Sequence, residues 1–489
     1  MGLFSKFVGP SKRTLQATIA AQQAAMSTLV RARYDAAQTT DLNRRHWSQA
    51  DYYSADAALS HEVRRKLRSR ARYEIANNSY AAGMVSTWAN DLVGTGPKIQ
   101  LDLGPDVDPE LVRQVELTNF DWSVNVDLAN KLRICKRAKL GDGEIFGVMT
   151  TNGRLSRRRD AVTLDFRLIE ADQIADPAAS IWTNEADGIR FDEDGNVAEY
   201  YLLKHHPGTA LASATLDGRW VAADHVLHWF HATRPGQHRG VGEIVPALEL
   251  FAMLRRYTLA VVTAAETAAD FAAILKTTMP ADGQGANRLE LYETMPITRG
   301  MAIAAPDGWE PVQMKPEQPT STYDSFVRRL LCEISRSVNM PYIVACMDSS
   351  QANYSSMRGD YLVYRKHLST ERSDIERVIL DPLFERWLDE AALVDGAIPD
   401  GLPPRDQWNW RWVWDGFEHI DPMKEAAADV ELVNNNMASL ADVCAKRGLD
   451  WRVVLRQRAI ERGVEEEFGI RPETATPAPQ NNPSQEQDQ

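Results

Sequence analysis

The segment HVLHWFH contains the side chains whose type and spacing come nearest to a metal site. Its three histidines are His225, His228 and His231. Imidazole nitrogens are common zinc ligands, but a site needs three or four donors that converge on one point. The segment is rich in β-prone residues, and successive side chains of a strand point to opposite faces. His225 and His231 therefore share one face and His228 lies on the other, so the sequence predicts no metal ion here.

A second run, QWNWRWVW at 407–414, has a tryptophan at every other position. The four are Trp408, Trp410, Trp412 and Trp414. On a pleated strand all four rings lie on one face. That arrangement suits either the stacking of single-stranded bases or a buried aromatic core. Both interpretations are compatible with the run itself.

Basic residues are concentrated in three clusters, VRRKLRSRAR at 63–72, KLRICKRAK at 131–139 and RLSRRR at 154–159. Each could bind phosphates, but each is also typical of a solvated helix face or a subunit contact. The net charge of the chain is -13. Binding DNA over a whole protein surface requires many contacts from Lys and Arg to phosphate. The charge therefore argues against a protein of that class.

Motifs of enzymatic chemistry are missing from the sequence. It contains no phosphate-binding G-x-x-x-x-G-K-[ST] loop and no G-x-S-x-G elbow. The acidic residues form no recognisable carboxylate cluster of a two-metal nuclease. His205 and His206 precede a proline and are typical of a turn. We therefore predict a non-enzymatic protein without catalytic residues, metal or cofactor.

Length and composition indicate a globular protein of two or three domains. The chain has 489 residues, of which 44% are hydrophobic and 25% are charged. No apolar run is long enough to span a bilayer. The N-terminal segment MGLFSKFVGPSKR matches neither a secretory signal nor a myristoylation site. Four widely spaced cysteines predict buried thiols of a cytosolic chain; they are Cys135, Cys332, Cys346 and Cys444.

Hydrophobic periodicity predicts a chain that is helical at both ends and sheet-rich in the middle. The predicted long helices cover 12–38, 60–91, 109–138, 242–276, 322–338 and 357–393, and shorter helices follow 421. The helix over 357–393 must bend near Pro382. Strands are expected between about 144 and 235, beginning with a hairpin at Asn152-Gly153. The apolar candidates of two helices are Val112, Val115, Phe120 and Val124, and Phe326, Leu330, Leu331, Ile334 and Val338.

Four ordered blocks carry a specific resemblance. They are RARYEIANNSYAAGMVSTWANDLVGTGPKIQ at 70–100, VLHWFHATRPGQHRGVGEIVPAL at 226–248, SVNMPYIVACMDSSQANYSSMRGDYL at 337–362 and WVWDGFEHIDPMKEAAAD at 412–429. With their Asn-Asn pair, R-P-G-Q-x-R-G-V turn, NYSSMR motif and D-P-x-K-E-A helix start, they resemble the lambda-like portal proteins of tailed bacteriophages. The resemblance covers about residues 70–465 and is weak outside them.

The resemblance implies an α+β portal-type fold of wing, stem, clip, tunnel loop and crown, with long stem helices and a small sheet-rich wing domain. The implied plan is an N-terminal helical arm at 1–60, the wing at 61–241, the stem helix at 242–276, the clip at 277–320, the return stem helix at 321–341, the tunnel loop at 342–356, a long wing helix and Trp-rich strand at 357–420, the helical crown at 421–470 and a disordered tail at 471–489.

The resemblance also implies roles for particular residues. The channel-facing loop contains Asp348, Ser349, Ser350, Gln351 and Asn353. The stem helices pack through Leu248, Phe251, Phe326, Leu330 and Ile334. The four tryptophans lie in the strand that leads into the crown. Because a portal passes an intact duplex, whose bases are already stacked, core or inter-subunit packing is favoured over base stacking for these rings.

The implied function is a homo-dodecameric ring at one capsid vertex, through which double-stranded DNA is packaged and ejected. Its implied partners are the large terminase subunit, capsid and scaffold proteins, and later the head-tail connector proteins, without a membrane. Its implied location is the virion, with assembly in the host cytoplasm. The alternatives are another structural ring protein, such as a tail-tube or connector subunit, and a packaging nuclease or ATPase. The long helix–clip–helix excursion disfavours the first, and the missing nucleotide loop disfavours the second.

Overall fold

The computed structural model describes residues 20–21, 41, 44–155, 162–177, 185–209, 217–269, 273–277, 309–313, 323–417 and 422–469. Residues 1–58 and 59–489 form two compact units. The first contains the helical turn Ala55–Ala58. Most of the helix predicted over 12–38 and the whole tail at 471–489 lie outside the described residues. The second unit carries the sheets, the long helices and the core.

The prediction of a single helix over 60–91 is wrong. The segment forms two helices, α1 (His61–Asn77) and α2 (Ser79–Val93). Asn78 lies between them with extended backbone. Its side-chain oxygen accepts two backbone N–H groups of the first turn of α2, which stabilises a new helix start. The predicted stop is confirmed, since α2 ends at Gly94 with φ 56°.

The helix predicted over 109–138 is likewise divided, into α3 (Pro109–Asn125) and α4 (Leu128–Gly141). Asp127 interrupts it in the left-handed region at φ 55°, a conformation that Asp adopts more readily than most residues. Of the four apolar candidates on α3, the first two are buried and the last two are exposed; these are Val112 and Val115, then Phe120 and Val124.

Two antiparallel sheets form the middle of the chain, as predicted. The first has the order β3-β2-β8, with β2 (Glu144–Thr151), β3 (Leu164–Ile169) and β8 (Val226–Phe230). The β2–β3 hairpin is confirmed, but the tight turn at Asn152-Gly153 is wrong. Thr151 pairs with Leu164, so the connection covers 152–163. The second sheet has the order β4-β5-β6-β7, formed by Glu185–Ala186, Ile189–Phe191, Val197–Leu203 and Gly218–Ala222.

The helix predicted over 242–276 is shorter at both ends. It begins with a 3-10 turn, Val245–Ala247, and continues as α5 (Leu248–Ala269). Proline lacks the N–H that a helix interior requires, so Pro246 is found in this opening turn. The last predicted turn is instead strand β9 (Ala273–Thr277), which pairs antiparallel with β10 (Trp309–Gln313). The rest of the section predicted as the clip lies outside the described residues.

After β10 the chain returns as helices. These are α6 (Tyr323–Ser337), the short α7 (Tyr342–Cys346), α8 (Tyr354–Ile375) and α9 (Asp381–Ala391). A π-helical turn at Glu376–Leu380 joins α8 to α9. The irregularity expected at Pro382 is therefore confirmed and takes the form of a widened turn, which accommodates the missing proline N–H.

The Trp-rich segment is a strand, as predicted. β11 (Asn409–Val413) pairs antiparallel with β1 (Lys98–Asp102). Three helices follow, α10 (Pro422–Asn434), α11 (Leu440–Lys446) and α12 (Trp451–Glu467). The predicted caps of the last two are confirmed. Ser439 forms a capping box with Asp442, and Asp450 accepts a backbone N–H at the start of α12.

Two hydrophobic cores hold the second unit together. The larger is built from α1–α9 and includes side chains of β1, β2, β8 and the Trp-rich segment. The smaller fills the space between the two sheets, around Phe146 and Tyr200. Helices α1–α4, the start of α5, α6 and the long α8–α9 segment thus share one core, which positions the segments discussed next.

Candidate functional site

A buried ion network, here called the Glu144 cluster (Glu144, Arg239, Arg68 and Asp172), joins the sheets to α1. Arg239 donates to Glu144 at 2.7–3.0 Å, and Arg68 donates to Asp172 at 2.8 Å. Burial alone would raise the pKa of Glu144, but Arg239 and His228 outweigh it and lower that pKa. Arg239 is the second arginine of the R-P-G-Q-x-R-G turn. Its guanidinium is therefore bound to groups inside the protein and does not face a ligand.

The structure separates the three histidines of HVLHWFH. His225 and His231 are exposed, whereas His228 is buried in the sheet. His228 Nε2 lies 3.2 Å from Glu144 and Nδ1 lies 3.2 Å from the Tyr200 hydroxyl. The ring therefore completes the buried network. Burial lowers the pKa of His228, although Glu144 opposes the shift.

Among the described residues, three potential metal ligands come together that the sequence did not suggest. They are Glu170, Asp172 and His206, with ligand atoms within 4.8 Å of one another. Arg72 lies 3.1 Å from Glu170 and 2.9 Å from Asp172, and Arg68 also binds Asp172. These two guanidinium groups already supply the positive charge that a metal ion would bring.

The basic cluster at 63–72 divides between two faces of α1. Arg64, Arg68 and Arg72, spaced by four residues, point inward to carboxylates of the sheets and their connections. The exposed members are Arg65, Lys66 and Arg70. A spacing of four puts side chains on one helix face, and this was the signal in the sequence that could have identified the inward set. Of the cluster at 154–159, most lies outside the described residues.

The cluster at 131–139 is also used internally. Lys136 and Lys139 of α4 are buried and bind two glutamates at 2.7–3.3 Å, Glu243 just before α5 and Glu371 of α8; these four residues are called the lysine cluster. Burial alone would lower the pKa of Lys139, but the two glutamates raise it. The lysine cluster thus connects three segments that are distant in sequence.

The tunnel loop predicted at 342–356 is helical in its first part, because Tyr342–Cys346 form α7, and the loop itself is therefore shorter. The base of this loop is held by contacts within the protomer. Met347 takes left-handed backbone at φ 53°. Asp348 accepts the Ser350 N–H at 2.9 Å and the Tyr342 hydroxyl at 3.2 Å, and lies 3.7 Å from Arg328 Nη1. The hydrogen bonds from Ser350 come first among the causes that lower the pKa of Asp348. The only acid of the loop is therefore engaged by its own protomer.

The other predicted channel residues present neutral side chains to the surface. Ser349, Ser350, Gln351 and Asn353 are exposed, whereas Asp348 is half-buried. Asn353 also caps α8 through a capping box with Ser356. The long helix therefore begins at Tyr354, three residues before the predicted start at 357. Tyr354 is 44% exposed, and Lys424 Nζ lies 5.9 Å from its ring centroid.

The five residues predicted to pack in the stem also include both buried and exposed side chains. Four of the five predicted to pack are buried, namely Leu248, Phe251, Leu330 and Ile334. Phe326 is 49% exposed and only one side of its ring packs, 4.7 Å from the ring of Tyr257 on α5. Along α5, Met253, Leu259 and Val262 are 47–65% exposed. Helices α5 and α6 therefore keep apolar side chains uncovered within one chain.

Three of the four tryptophans donate a hydrogen bond to the α8–α9 segment. Trp410 and Trp412 each donate an indole N–H to the same oxygen of Asp381, both at 2.9 Å. Trp414 donates to Glu376, and Trp408 donates to the Pro403 carbonyl at 3.0 Å. Trp408 and Trp414 are buried, and the other two pack partly against the larger core. The rings are thus core components of the protomer, and the strand pairing explains why they share a face.

Cysteine placement corrects one expectation. All four cysteines are free thiols, and Cys135 and Cys444 are buried, but Cys332 and Cys346 are only half-buried. Both lie on the helices that lead to the channel loop. Within the described part of the chain, no helix combines the length and hydrophobicity needed to cross a membrane.

Buried charges that join the protein's own elements, together with long helices that leave apolar side chains uncovered, are typical of a structural subunit that completes its packing by assembly. The family "Phage portal protein, lambda family" matches residues 41–372. The chain belongs to this family.

Two portal proteins of known phages match most of the chain. The chain is 22% identical to portal protein B of Escherichia phage lambda over 473 residues, covering 86% of this chain and 87% of the relative. It is 22% identical over 445 residues to a probable portal protein of Halomonas phage phiHAP-1, covering 85% of this chain and 83% of the relative. Among solved structures, the neck of a native gene transfer agent particle matches 78% of this chain and 92% of that chain, with 14% identity and a TM-score of 0.45.

Proposed function

We propose that this protein forms the portal ring at one vertex of a phage-type capsid, through which double-stranded DNA is packaged and later ejected. The observation that carries the proposal is membership of the lambda family of portal proteins, with the match extending over 41–372. That range contains the α5–α6 helix pair and the loop between α7 and α8. The subunit number is about twelve, in a closed ring of identical heterologous contacts.

The protomer supplies two physical reasons for assembly. Exposed apolar side chains on α5, such as Leu259 at 65%, are costly in water and are covered by a neighbouring stem. The lysine cluster fixes the start of the stem to α8. A neighbouring subunit that contacts the stem therefore contacts a segment that is already rigidly held to the rest of the protomer. A ring built in this way would need no metal or cofactor.

A conduit for DNA must let a polyanion slide. The net charge of -13 per chain repels phosphates from most of the surface. The exposed tip residues of the loop, Ser349, Ser350 and Gln351, are uncharged. Neutral polar groups contact a duplex without the strong, salt-dependent attraction of Lys and Arg to phosphate. This combination supports transient, non-specific contact with double-stranded DNA in the channel.

The ring would take part in assembly as a non-enzymatic platform. In this proposal the section predicted as the clip docks the large terminase subunit during packaging and the head-tail connector proteins afterwards. Capsid and scaffold proteins surround the wing. The protein would assemble in the host cytoplasm and end in the virion. The hydrolysis of nucleotide would belong to the terminase, in keeping with the missing phosphate-binding loop in this sequence.

Imaging of the purified full-length chain tests the proposal. We expect closed rings of about twelve subunits in negative stain, with a matching mass by native mass spectrometry. A monomer that persists over micromolar concentrations and at low salt would contradict it. An ATPase and nuclease assay on the same preparation should give no activity above buffer, and robust hydrolysis would point to a packaging enzyme instead.

A further inference from the structure

An apolar groove lies where the start of α12 meets α3 and β1. It encloses a cavity of about 330 Å³. Its apolar lining consists of Ile99, Leu117, Phe120, Val413, Leu449 and Val453. Leu117, Phe120, Leu449 and Val453 are each at least 40% exposed, although they surround one concave site. Grooves of this kind normally receive a side chain from a partner.

The rim of the groove carries both acidic and basic side chains. Glu116 accepts the backbone N–H of Leu101 and Asp450 caps α12, so both acids are engaged within the fold. The basic residues at the rim are Lys98 and Arg113, both exposed. Arg113 forms an exposed ion pair with Glu110 at 2.9 Å. Lys98 Nζ lies 5.9 Å from the ring centroid of Phe120, and among the described residues no ion pair of Lys98 occurs. An occupant with acidic residues beside an apolar side chain would fit this rim.

The end of α12 has those properties. Phe468 follows the last residue of the helix and is 73% exposed. The three residues before it are Glu465, Glu466 and Glu467. None of the 17 residues of α12 is buried within the protomer, although Ile460 and Val464 are apolar. Trp451, Arg452 and Val454 at its start are half-buried, but residues 455–464 are all exposed. A helical segment with so little packing in its own chain is marginal in water and gains stability from an external contact.

The protomer cannot fill its own groove with this end. The groove contains Leu449 and Val453, at the start of the same helix. At 1.5 Å per residue, a straight α12 separates its two ends by about 25 Å. If the end of α12 is the occupant, it must therefore come from another chain. A contact between the end of one helix and the start of its neighbour's is heterologous, and contacts of this type close rings.

We propose that Phe468 of each protomer inserts into the groove of the adjacent copy, with Glu465–Glu467 facing Lys98 and Arg113. This inference rests on the ring of the proposed function and specifies one of its interfaces. The occupant is a second copy of this chain, and each α12 spans from one groove to the next. The series of α12 helices then forms a continuous belt above the wing helices.

Cysteine cross-linking of the full-length protein tests the proposal. The variant carries Leu117→Cys and Phe468→Cys, and each single substitution serves as a control for the native thiols Cys332 and Cys346. A short bis-maleimide should convert rings of the double variant into a ladder of covalent oligomers, and the single variants should not give one. Intact rings without a ladder, or a cross-link within one chain, would overturn the proposed contact.

A second measurement separates this contact from ring formation itself. Phe468→Asp should lower the fraction of protein in rings at least several-fold, while Phe468→Leu should retain it. Leu393→Asp, at an 86% exposed residue outside α12, is the matched control. Unchanged ring yield in Phe468→Asp would overturn the insertion and leave the groove to another occupant. If the unmodified chain forms no rings, the proposed function itself fails, which is a different outcome.

Discussion

Arg239 donates three hydrogen bonds to the carboxylate of Glu144 at 2.7–3.0 Å, and both side chains are buried. Arg239 also donates to the backbone carbonyls of Ala171, Ile174 and Asp187. One guanidinium thus joins the R-P-G-Q-x-R-G turn, strand β2 and the connections of the second sheet. This turn lies just before α5, so the guanidinium fixes the entry of that helix relative to the sheets.

Arg239→Met should destabilise the protomer strongly, because it leaves the Glu144 carboxylate buried without its main partner. Breaking a buried ion pair in this way lowers the free energy of unfolding by roughly 3–5 kcal/mol. Arg386→Met removes an exposed pair with Asp389 and should cost less than about 0.5 kcal/mol. Urea denaturation of both variants measures the difference, and equal midpoints would contradict the role given to Arg239.

Stability should fall as the pH is lowered below 6.5, the ordinary pKa of histidine. Burial lowers the pKa of His228 in the folded chain, so the unfolded chain binds the proton first and is favoured by acid. The groups that face the ring are Glu144, Tyr200 and Arg239. Glu144, whose pKa is also lowered by folding, adds a second loss below its ordinary value of 4.5.

His228→Gln keeps a donor and an acceptor near these partners without a titrating ring, so it isolates the first loss. Comparing urea midpoints at about pH 7.5 and 5.5 should show a smaller decrease for this variant than for the unmodified protein. The same decrease in both would assign the acid sensitivity to other groups.

Trp412→Ala should lower the free energy of unfolding by roughly 3–5 kcal/mol, because it vacates an aromatic site against α9. Trp412→Phe keeps a ring but loses the hydrogen bond to Asp381, and should cost about 1 kcal/mol. Thermal denaturation and ring yield are the measurements. If Trp410→Ala or Trp412→Ala left stability unchanged but abolished single-stranded DNA binding, the base-stacking interpretation would be correct.

Replacing 348–353 with a shorter Gly/Ser linker should permit ring and procapsid assembly but impair DNA packaging or retention. The tip side chains Ser349, Ser350 and Gln351 are exposed and contribute little to the core. Asp348→Asn, which weakens only the base of the loop, is the milder comparison. Packaging at normal yield with the loop replaced would remove its channel role, and failure of the rings to form would make it an assembly element.

Deletion of 471–489 should leave the ring intact. This segment is rich in Pro and Gln and has little apolar surface with which to stabilise a core. The deletion retains Phe468, so the α12 contact is preserved as well. Ring yield by size-exclusion chromatography is the measurement, and a loss of folding would show that the tail binds elsewhere on the ring.

Local structure was largely predictable from the sequence, because it depends on residues a few positions apart. The caps Ser439 and Asp450, the stop at Gly94 and the distortion before Pro382 all involve backbone groups within one or two helical turns. The breaks at Asn78 and Asp127 were missed, since a polar residue within a periodic segment is also compatible with a continuous helix.

The family, the alternation of the tryptophans and the missing catalytic motifs were likewise determined by the sequence alone. Only the tertiary structure decided which charges are structural and which apolar side chains remain uncovered. Lys136 binds Glu371, which is 235 residues away along the chain, and Arg68 binds Asp172, which is 104 residues away. Phe120 has the spacing of a core residue, yet it is exposed at the groove. Periodicity identifies the apolar face of a helix, but only the packing of distant segments determines whether that face is covered.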